Sequence, residues 1–186
     1  MAFTASTAFL PRMWNNRNDD LQNIPGLYGS VSGSSFITAD ADAGLCCFKG
    51  AHMAGGGYQM TLATNGAQDI YFCNQGDVQR VPFGAANLFA VGVETLGLGA
   101  PAGELCTYTK AIPGETYAFG PGNFSTIVTA TNKYATVANG YLVGSSSAPS
   151  VAGTIYFELD AALGIDVFTE ANYGAFSRYN LLCRKV

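Results

Sequence analysis

Short apolar runs separated by turn residues make up the chain from Gly26 onward. The runs are rich in Val, Ile, Thr, Tyr and Phe, and Gly, Asn, Asp or Pro interrupts them about every ten residues. This spacing is typical of an all-β sandwich or a small β-barrel in which each run forms one strand. The predicted strands are 27–32, 45–49, 58–63, 69–74, 78–83, 88–95, 104–110, 116–120, 126–131, 140–145, 154–159 and 176–185.

The residues between these runs carry the chemistry of turns. Asn65-Gly66 and Asn139-Gly140 are well suited to type I′ hairpins, because both central residues of that turn need positive φ. Stretches rich in Gly and Ser at 54–57 and 144–153 predict long surface loops between strands. The segment 159–168 comes nearest to a helical pattern, and we expect it to form at most one short turn of helix.

The first 25 residues do not share the strand pattern. A polar, turn-prone stretch (NNRNDDLQN) occupies most of their second half, and Phe9, Met13 and Trp14 precede it. Aromatic and Met side chains are frequent anchors of protein interfaces, so these three are candidate partner-binding residues; the alternative is that they pack on their own domain. We therefore divide the chain into an extended N-terminal arm, 1–25, and a single all-β domain, 26–186.

The composition narrows the classes of function. Only 12% of the residues are charged, 48% are hydrophobic and the formal net charge is −4. The nine basic residues are scattered, with no run longer than Arg184-Lys185, so the chain lacks the basic patch of a nucleic-acid-binding protein. No apolar run reaches the length of a membrane span, and the N-terminus lacks the charged start of a signal peptide, which favours synthesis and folding in a cytoplasm.

The low charge content also bears on the surface. An ordinary soluble domain carries about 25% charged residues. A chain with 12% is either a compact, poorly charged monomer or a subunit whose surface is covered by partners. We favour the second interpretation, because large exposed apolar patches usually mark interaction sites.

The cysteines form an odd set with no CxxC spacing, which disfavours both a disulfide framework and a zinc site. We expect them to be buried thiols, and a catalytic thiol is disfavoured because His52, in a Gly-rich loop, is the only histidine that could serve as its base. The five are Cys46, Cys47, Cys73, Cys106 and Cys183.

Other possible chemistry has little support. The segment 97–103 (GLGAPAG) has the wrong glycine spacing for a dinucleotide loop and contains a proline. The segment 40–44 (DADAG) offers two carboxylates, but no acidic residue closes a calcium loop behind it, so a polar turn is favoured. Paired carboxylates for glycoside hydrolysis would come from Glu94, Glu104 and Glu158, whose separation the sequence does not define. We predict no catalytic residue, no cofactor and no metal.

The segment 76–122 resembles the β-rich head decoration, or cement, proteins of tailed bacteriophages. In those proteins a GD-V strand, a GV strand and a Gly-Glu strand recur around small β-barrels. Gly76-Asp77-Val78, Val91-Gly92-Val93 and Gly103-Glu104-Leu105 occupy the corresponding places here, in a segment of about a quarter of the chain. These motifs consist largely of turn residues.

The resemblance implies a virion structural protein without catalytic residues. It would be located on the capsid surface, bind the major capsid protein or another virion protein, and form a dimer or trimer, with neither nucleic acid nor membrane as a partner. Two alternatives stay open beside it. A viral tail, fibre or adhesin module would use similar strands to bind a receptor or glycan at its loop tips, and a glycoside hydrolase would need two of the glutamates named above.

Overall fold

The computed structural model describes residues 23–74, 99–100, 102–170 and 174–186, and these residues form an all-β protein, as the sequence predicts. Strands are numbered in chain order within the described ranges. They are β1 (Asn23–Ser32), β2 (Ser35–Thr38), β3 (Ala41–Asp42), β4 (Cys46–His52), β5 (Tyr58–Leu62), β6 (Tyr71–Cys73), β7 (Gly99–Ala100), β8 (Cys106–Lys110), β9 (Thr116–Phe119), β10 (Phe124–Thr126), β11 (Tyr134–Ala138), β12 (Tyr141–Ser145), β13 (Ile155–Leu159), β14 (Ile165–Glu170) and β15 (Gly174–Lys185).

The first half of the domain is a closed barrel of five strands. Its order is β1-β5-β4-β6-β8, and β8 returns to pair with β1. The β1–β5 pair is parallel and the other four pairs are antiparallel. Closure leaves no free edge among these five strands, which removes the usual site of unwanted strand pairing.

The second half is a curved sheet built around the long strand β15. Its order is β10-β12-β11-β13-β15-β14, and β9 pairs with β15 as well. A short pair, β3 with β7, forms a third sheet. Within the described ranges the one helical element is a 3-10 turn at Pro121–Asn123, and no helix there has the length and apolar character needed to cross a membrane.

Strand β6 and the first two residues of β4 are buried on both faces, and this joins the two halves. In β6, Tyr71 and Cys73 point into the barrel, whereas Phe72 points out of it into the core shared with the second sheet. In β4, Cys47 points inward and Cys46 outward, as alternation along a strand requires. The result is one small core inside the barrel and a larger core between the barrel and the second sheet.

Phe72 occupies the centre of the larger core. Its ring centroid lies 5.4 Å from that of Tyr117, 5.1 Å from that of Phe119 and 5.6 Å from that of Phe157. Each such aromatic pair contributes about 0.5–1.5 kcal/mol beyond the burial of its area. These three contacts all cross from the barrel to the second sheet, so they fix how the halves pack.

The Asn139-Gly140 hairpin is confirmed, whereas the hairpin predicted at Asn65-Gly66 is wrong. Asn139 and Gly140 have φ of 49° and 79° and connect β11 to β12. At the other dipeptide the Asn65 side chain accepts a hydrogen bond from the Ala67 amide at 2.9 Å. Asn65 does not adopt positive φ there, because this local bond replaces the hairpin turn.

Two predicted segments differ from the structure. The strand predicted at 126–131 ends at Thr126, because the hydroxyl of Thr129 accepts a hydrogen bond from the amide of Asn132 at 3.0 Å and folds the chain into a turn. The weak helical pattern at 159–168 gives a turn followed by β14. The predicted arm boundary also differs, because residues 23–25, which the sequence groups with the arm, belong to β1.

Gly66 marks the contact between the barrel and β13. Its carbonyl oxygen accepts a hydrogen bond from the amide of Ile155 at 2.7 Å, and a Cβ at this position would collide with the backbone oxygen of Ile155. We expect Gly66→Ala to lower the free energy of unfolding by about 2 kcal/mol, because a backbone atom cannot rotate away. Chemical denaturation of the purified variant measures this loss.

Gly55→Ala is the matched control for this substitution. A Cβ at Gly55 meets nothing within 4 Å, and neither glycine has a φ in the left-handed region. We expect this variant to be as stable as the parent or slightly more stable, because alanine restricts the unfolded chain. Equal losses in the two variants would contradict the proposed contact.

Candidate assembly surface

The first unusual surface is a two-stranded ribbon that continues from the barrel. Strand β1 pairs with β8 and β5 through residues 23–28, and its remaining residues pair only with β2. A turn at Gly33-Ser34, with Gly33 at φ 61°, closes this ribbon. Val31 is 59% exposed and Ile37 is 56% exposed. The ribbon therefore carries aliphatic side chains that no described part of the chain covers.

The second ribbon is formed by β14 and the first half of β15. The register pairs Ile165 with Tyr179 and Val167 with Ser177, and the partners β13 and β9 lie farther along β15, from Tyr179 onward. Tyr179 is buried against Phe124. Ile165 and Val167 lie on the same face as Tyr179, yet they are 39% and 69% exposed. The apolar face of the sheet thus extends beyond the part that other described residues cover.

A polar bulge between β13 and β14 sets the position of this second ribbon. The main-chain amide of Asp160 donates to Asn180 O at 2.8 Å, and the amide of Asn180 donates to Gly164 O at 3.0 Å. Asn180 of β15 therefore bonds to both Asp160 and Gly164, and the residues between these two form a turn. The Asp160 carboxylate accepts hydrogen bonds from the amides of Ala162 and Leu163 and holds this turn closed.

The carboxylates of this bulge have lowered pKa values. Burial raises the pKa of Asp160, but the amide hydrogen bonds and one from the hydroxyl of Thr116 outweigh it and hold the pKa below its usual value. The pKa of Asp166 is lowered by a hydrogen bond from the Asn180 side chain and by Arg178, which lies 2.7 Å away. Both groups are therefore ionised at neutral pH, and the negative charge is an integral part of the turn.

Many of the charged groups in the described ranges are paired with each other. Glu158 contacts Lys133 at 3.0 Å and Arg184 at 3.4 Å, and Lys110 contacts Asp69 at 2.7 Å. Paired charges of this kind contribute little to stability.

The structure places some of the sequence-predicted residues and not others. Phe9, Met13, Trp14 and Glu94 lie outside the described residues. Glu104 lies in an exposed turn before β8 of the barrel, whereas Glu158 lies on β13 of the other sheet with both carboxylate oxygens in ion pairs. The structure therefore shows no arrangement of Glu104 with Glu158 as a pair.

The motifs that carry the resemblance are placed only in part. Gly103 ends the turn at 102–103, Glu104 and Leu105 are exposed residues between that turn and β8, and the other two motifs, at 76–78 and 91–93, lie outside the described residues. The segment 97–103 is described at 99–100, which is β7, and at 102–103, which is a turn. Asp40 of the 40–44 segment accepts a hydrogen bond from the Ala102 amide at 2.8 Å.

The expected thiols and the histidine are found as follows. All five cysteines are buried and none forms a disulfide. His52 ends β4 on the surface, with its ring edge-on to Tyr58 at 5.2 Å. Among the described residues, no group of three or more His, Cys, Asp or Glu side chains is arranged to hold a metal ion.

The aliphatic residues of both ribbons are functional candidates that the sequence analysis missed. Gly33-Ser34 is a Gly-X dipeptide suited to a type II′ hairpin, and this signal could have revealed the first ribbon. Ile165 and Val167 alternate with polar residues in β14, but the preceding DAALG favoured a turn of helix. That such side chains stay uncovered is a property of the tertiary structure.

The Asp166 pair predicts a defined acid sensitivity. Because the folded pKa is lower than the unfolded value of about 4, the contribution of Asp166 to stability is complete above that pH and is lost as the pH falls through the folded pKa. We expect Asp166→Asn to be less stable than the parent at pH 7 and the difference to narrow below about pH 4. Thermal unfolding measured across this range tests it.

Asp42→Asn removes an exposed carboxylate of β3 and is the control. We expect this exposed substitution to leave the melting temperature at pH 7 close to that of the parent. A constant difference between parent and Asp166→Asn, from pH 7 down to pH 2, would contradict the role assigned to the Asp166 charge.

Comparison with protein-family models, with curated proteins and with solved structures found no match to this chain.

Proposed function

We propose that this protein is a virion structural protein that binds and stabilises a capsid lattice as a decoration, or cement, protein. The observation that carries the proposal is the pair of β ribbons whose aliphatic side chains, on Val31, Ile37, Ile165 and Val167, extend beyond the protein's own cores. The resemblance of segment 76–122 to phage decoration proteins supports the same class.

The ribbons have the properties of protein-binding elements. A two-stranded ribbon offers unpaired backbone groups along its outer edges, and a partner strand can add to such an edge. Ile165 and Val167 share one face of the second ribbon, whereas Val31 and Ile37 lie on opposite faces of the first ribbon. Burial of these side chains against a partner would remove apolar surface from water. Each ribbon therefore combines a backbone and a side-chain reason to bind another protein.

The charge of the protein favours a protein partner over nucleic acid. The net charge is −4, and four of the basic side chains in the described ranges are engaged in ion pairs with carboxylates. Binding to phosphates depends on available Lys and Arg. A capsid protein or a second copy of this chain is the partner that suits an apolar and weakly charged surface.

Binding of this kind would stabilise a lattice by mass action. A protein that binds the assembled lattice, but not its separated subunits, shifts the equilibrium away from disassembly. No chemical step is needed for this effect, and the function requires only surfaces. The first test is to separate an extract of the source on a density gradient. We expect the protein to be found in the fractions that contain large particles.

Charged substitutions on the ribbons test the surface itself. We expect Val31→Lys and Val167→Lys to leave the melting temperature nearly unchanged, because both side chains are exposed, and to weaken particle binding or self-association by about tenfold or more. Sedimentation with and without particles measures the effect. Val151→Lys is the control, since Val151 is 67% exposed in the loop between β12 and β13.

Equal losses in all three variants would show that added charge, and not the ribbon, is responsible. Full binding by both ribbon variants would contradict the proposed surface. If the isolated protein instead binds a glycan array through its loops, the tail, fibre or adhesin alternative is favoured.

The role of the arm stays a prediction, because residues 1–22 lie outside the described residues. We expect deletion of residues 1–20, which stops short of β1, to leave the melting temperature essentially unchanged and to weaken attachment to the capsid or to sister subunits. Trp14→Ala should cause part of that loss, about 2 kcal/mol of binding free energy. Trp14→Phe is the conservative control. Unfolding of the truncated protein would mean that the arm is part of the domain.

A further inference from the structure

The thiols of Cys73 and Cys106 lie side by side inside the barrel. Their Sγ atoms are 3.8 Å apart, and either thiol can donate a hydrogen bond to the other. Cys73 ends β6 and Cys106 begins β8, the neighbouring antiparallel strand. A disulfide needs an S–S distance of about 2.05 Å. The two sulfurs would therefore have to approach by about 1.8 Å. The register pairs Cys73 with Tyr108, so Cys106 lies diagonal to Cys73, and closure requires local movement of the two strand ends together with rotation of the side chains.

Cys106 is the most accessible of the five cysteines. It is 6% exposed, whereas the other four are 0% exposed. It directly follows the exposed residues 102–105, at the first position of its strand. Strand ends open locally more readily than strand centres, so a small reagent reaches Cys106 before the other thiols.

The pKa of Cys106 also distinguishes it from Cys46, Cys47 and Cys183. The hydrogen bond from Cys73 is the main cause that lowers the pKa of Cys106, burial opposes it, and the nearby Tyr108 hydroxyl acts with Cys73. Burial instead raises the pKa of Cys46, Cys47 and Cys183. The thiolate is the form that attacks a disulfide, so Cys106 is the best nucleophile of this set.

Other pairings are disfavoured by position. Cys46 and Cys47 point into different cores, and Cys183 lies in the larger core on β15. Cys47 shares the barrel interior with the pair, but its thiol approaches the carbonyl oxygen of Leu45 at 3.7 Å. Cys73 is the thiol that contacts Cys106 directly.

We propose that Cys73 and Cys106 form a redox-active pair that closes into a disulfide when the protein meets a low-molecular-weight disulfide such as oxidised glutathione, and reopens in a thiol reductant. This inference does not depend on the function proposed above. It is compatible with a reduced protein in fresh preparations, because closure needs the external oxidant.

The reaction balances as two successive exchanges. The Cys106 thiolate attacks one sulfur of the small disulfide, breaks its S–S bond and releases one small thiolate. The Cys73 thiol gives its proton to that thiolate or to solvent, and its sulfur attacks the Cys106 sulfur and displaces the second small thiolate. The protein loses two electrons and its two thiol protons, and the small disulfide is reduced to two thiols.

The bridge would fasten the end of β6 to the start of β8. It would join residues that are 33 positions apart, and a cross-link over that length restricts the unfolded chain strongly. Closure is therefore expected to stabilise the barrel without any change in its strand order.

The test uses the full purified chain, first reduced and then treated with oxidised glutathione. Remaining thiols are alkylated, the protein is digested without reductant, and the peptides are identified by mass spectrometry. We expect a Cys73–Cys106 linked peptide that is lighter by two hydrogen atoms than the separate peptides and disappears with dithiothreitol. The oxidised protein should melt about 5–15 °C above the reduced protein.

Cys106→Ala and Cys183→Ala are the paired variants, since each replaces a buried thiol with the same small residue. We expect the bridge and the rise in melting temperature to disappear in the first and to persist in the second. Absence of the linked peptide in the parent protein, linkage of Cys47 instead, or a glutathione adduct that remains on Cys106 would overturn the proposal. Peptide mapping of the parent protein decides the question even if Cys106→Ala fails to fold.

Discussion

Two-sided burial of β6 and of the start of β4 is the constraint on which the rest of the structure depends. Phe72 enters the core against the second sheet, while its neighbours Tyr71 and Cys73 fill the barrel. A strand that must be apolar on both faces cannot lie at a surface. The barrel and the curved sheet therefore have to pack together, and the three aromatic contacts of Phe72 set their relative position.

This packing leaves the two ribbons outside. The cores end near Tyr28 on β1 and near Tyr179 on β15, but the strands themselves continue. Asn180 is buried, and its side chain donates a hydrogen bond to the bulge between β13 and β14. This contact fixes where the second ribbon starts, and the aliphatic residues of the ribbon remain exposed. The proposed assembly function follows because these strands are longer than the cores that cover them.

The small core inside the barrel also brings thiols together. Tyr108 is fully buried there, no described residue lies in hydrogen-bonding geometry to its hydroxyl, and burial together with the nearby thiols of Cys73, Cys106 and Cys47 raises its pKa. Cys73 and Cys106 come into contact because β6 and β8 are neighbours in the closed barrel, although 32 residues separate them in the chain. The same closure that removes the strand edges thus creates the proposed redox pair.

The sequence by itself determined the all-β class, most strand positions and the burial of the cysteines, because these depend on local alternation, turn residues and side-chain polarity. The predictions of a hairpin at Asn65-Gly66 and of a strand at 126–131 were wrong, because side-chain hydrogen bonds to nearby amides outweighed the hairpin and strand preferences there. Barrel closure, the exposure of Val31 and Val167 and the contact of Cys73 with Cys106 were decided by tertiary structure alone. They arise from pairing between distant strands, and the periodicity of one segment carries no information about which other segment lies beside it.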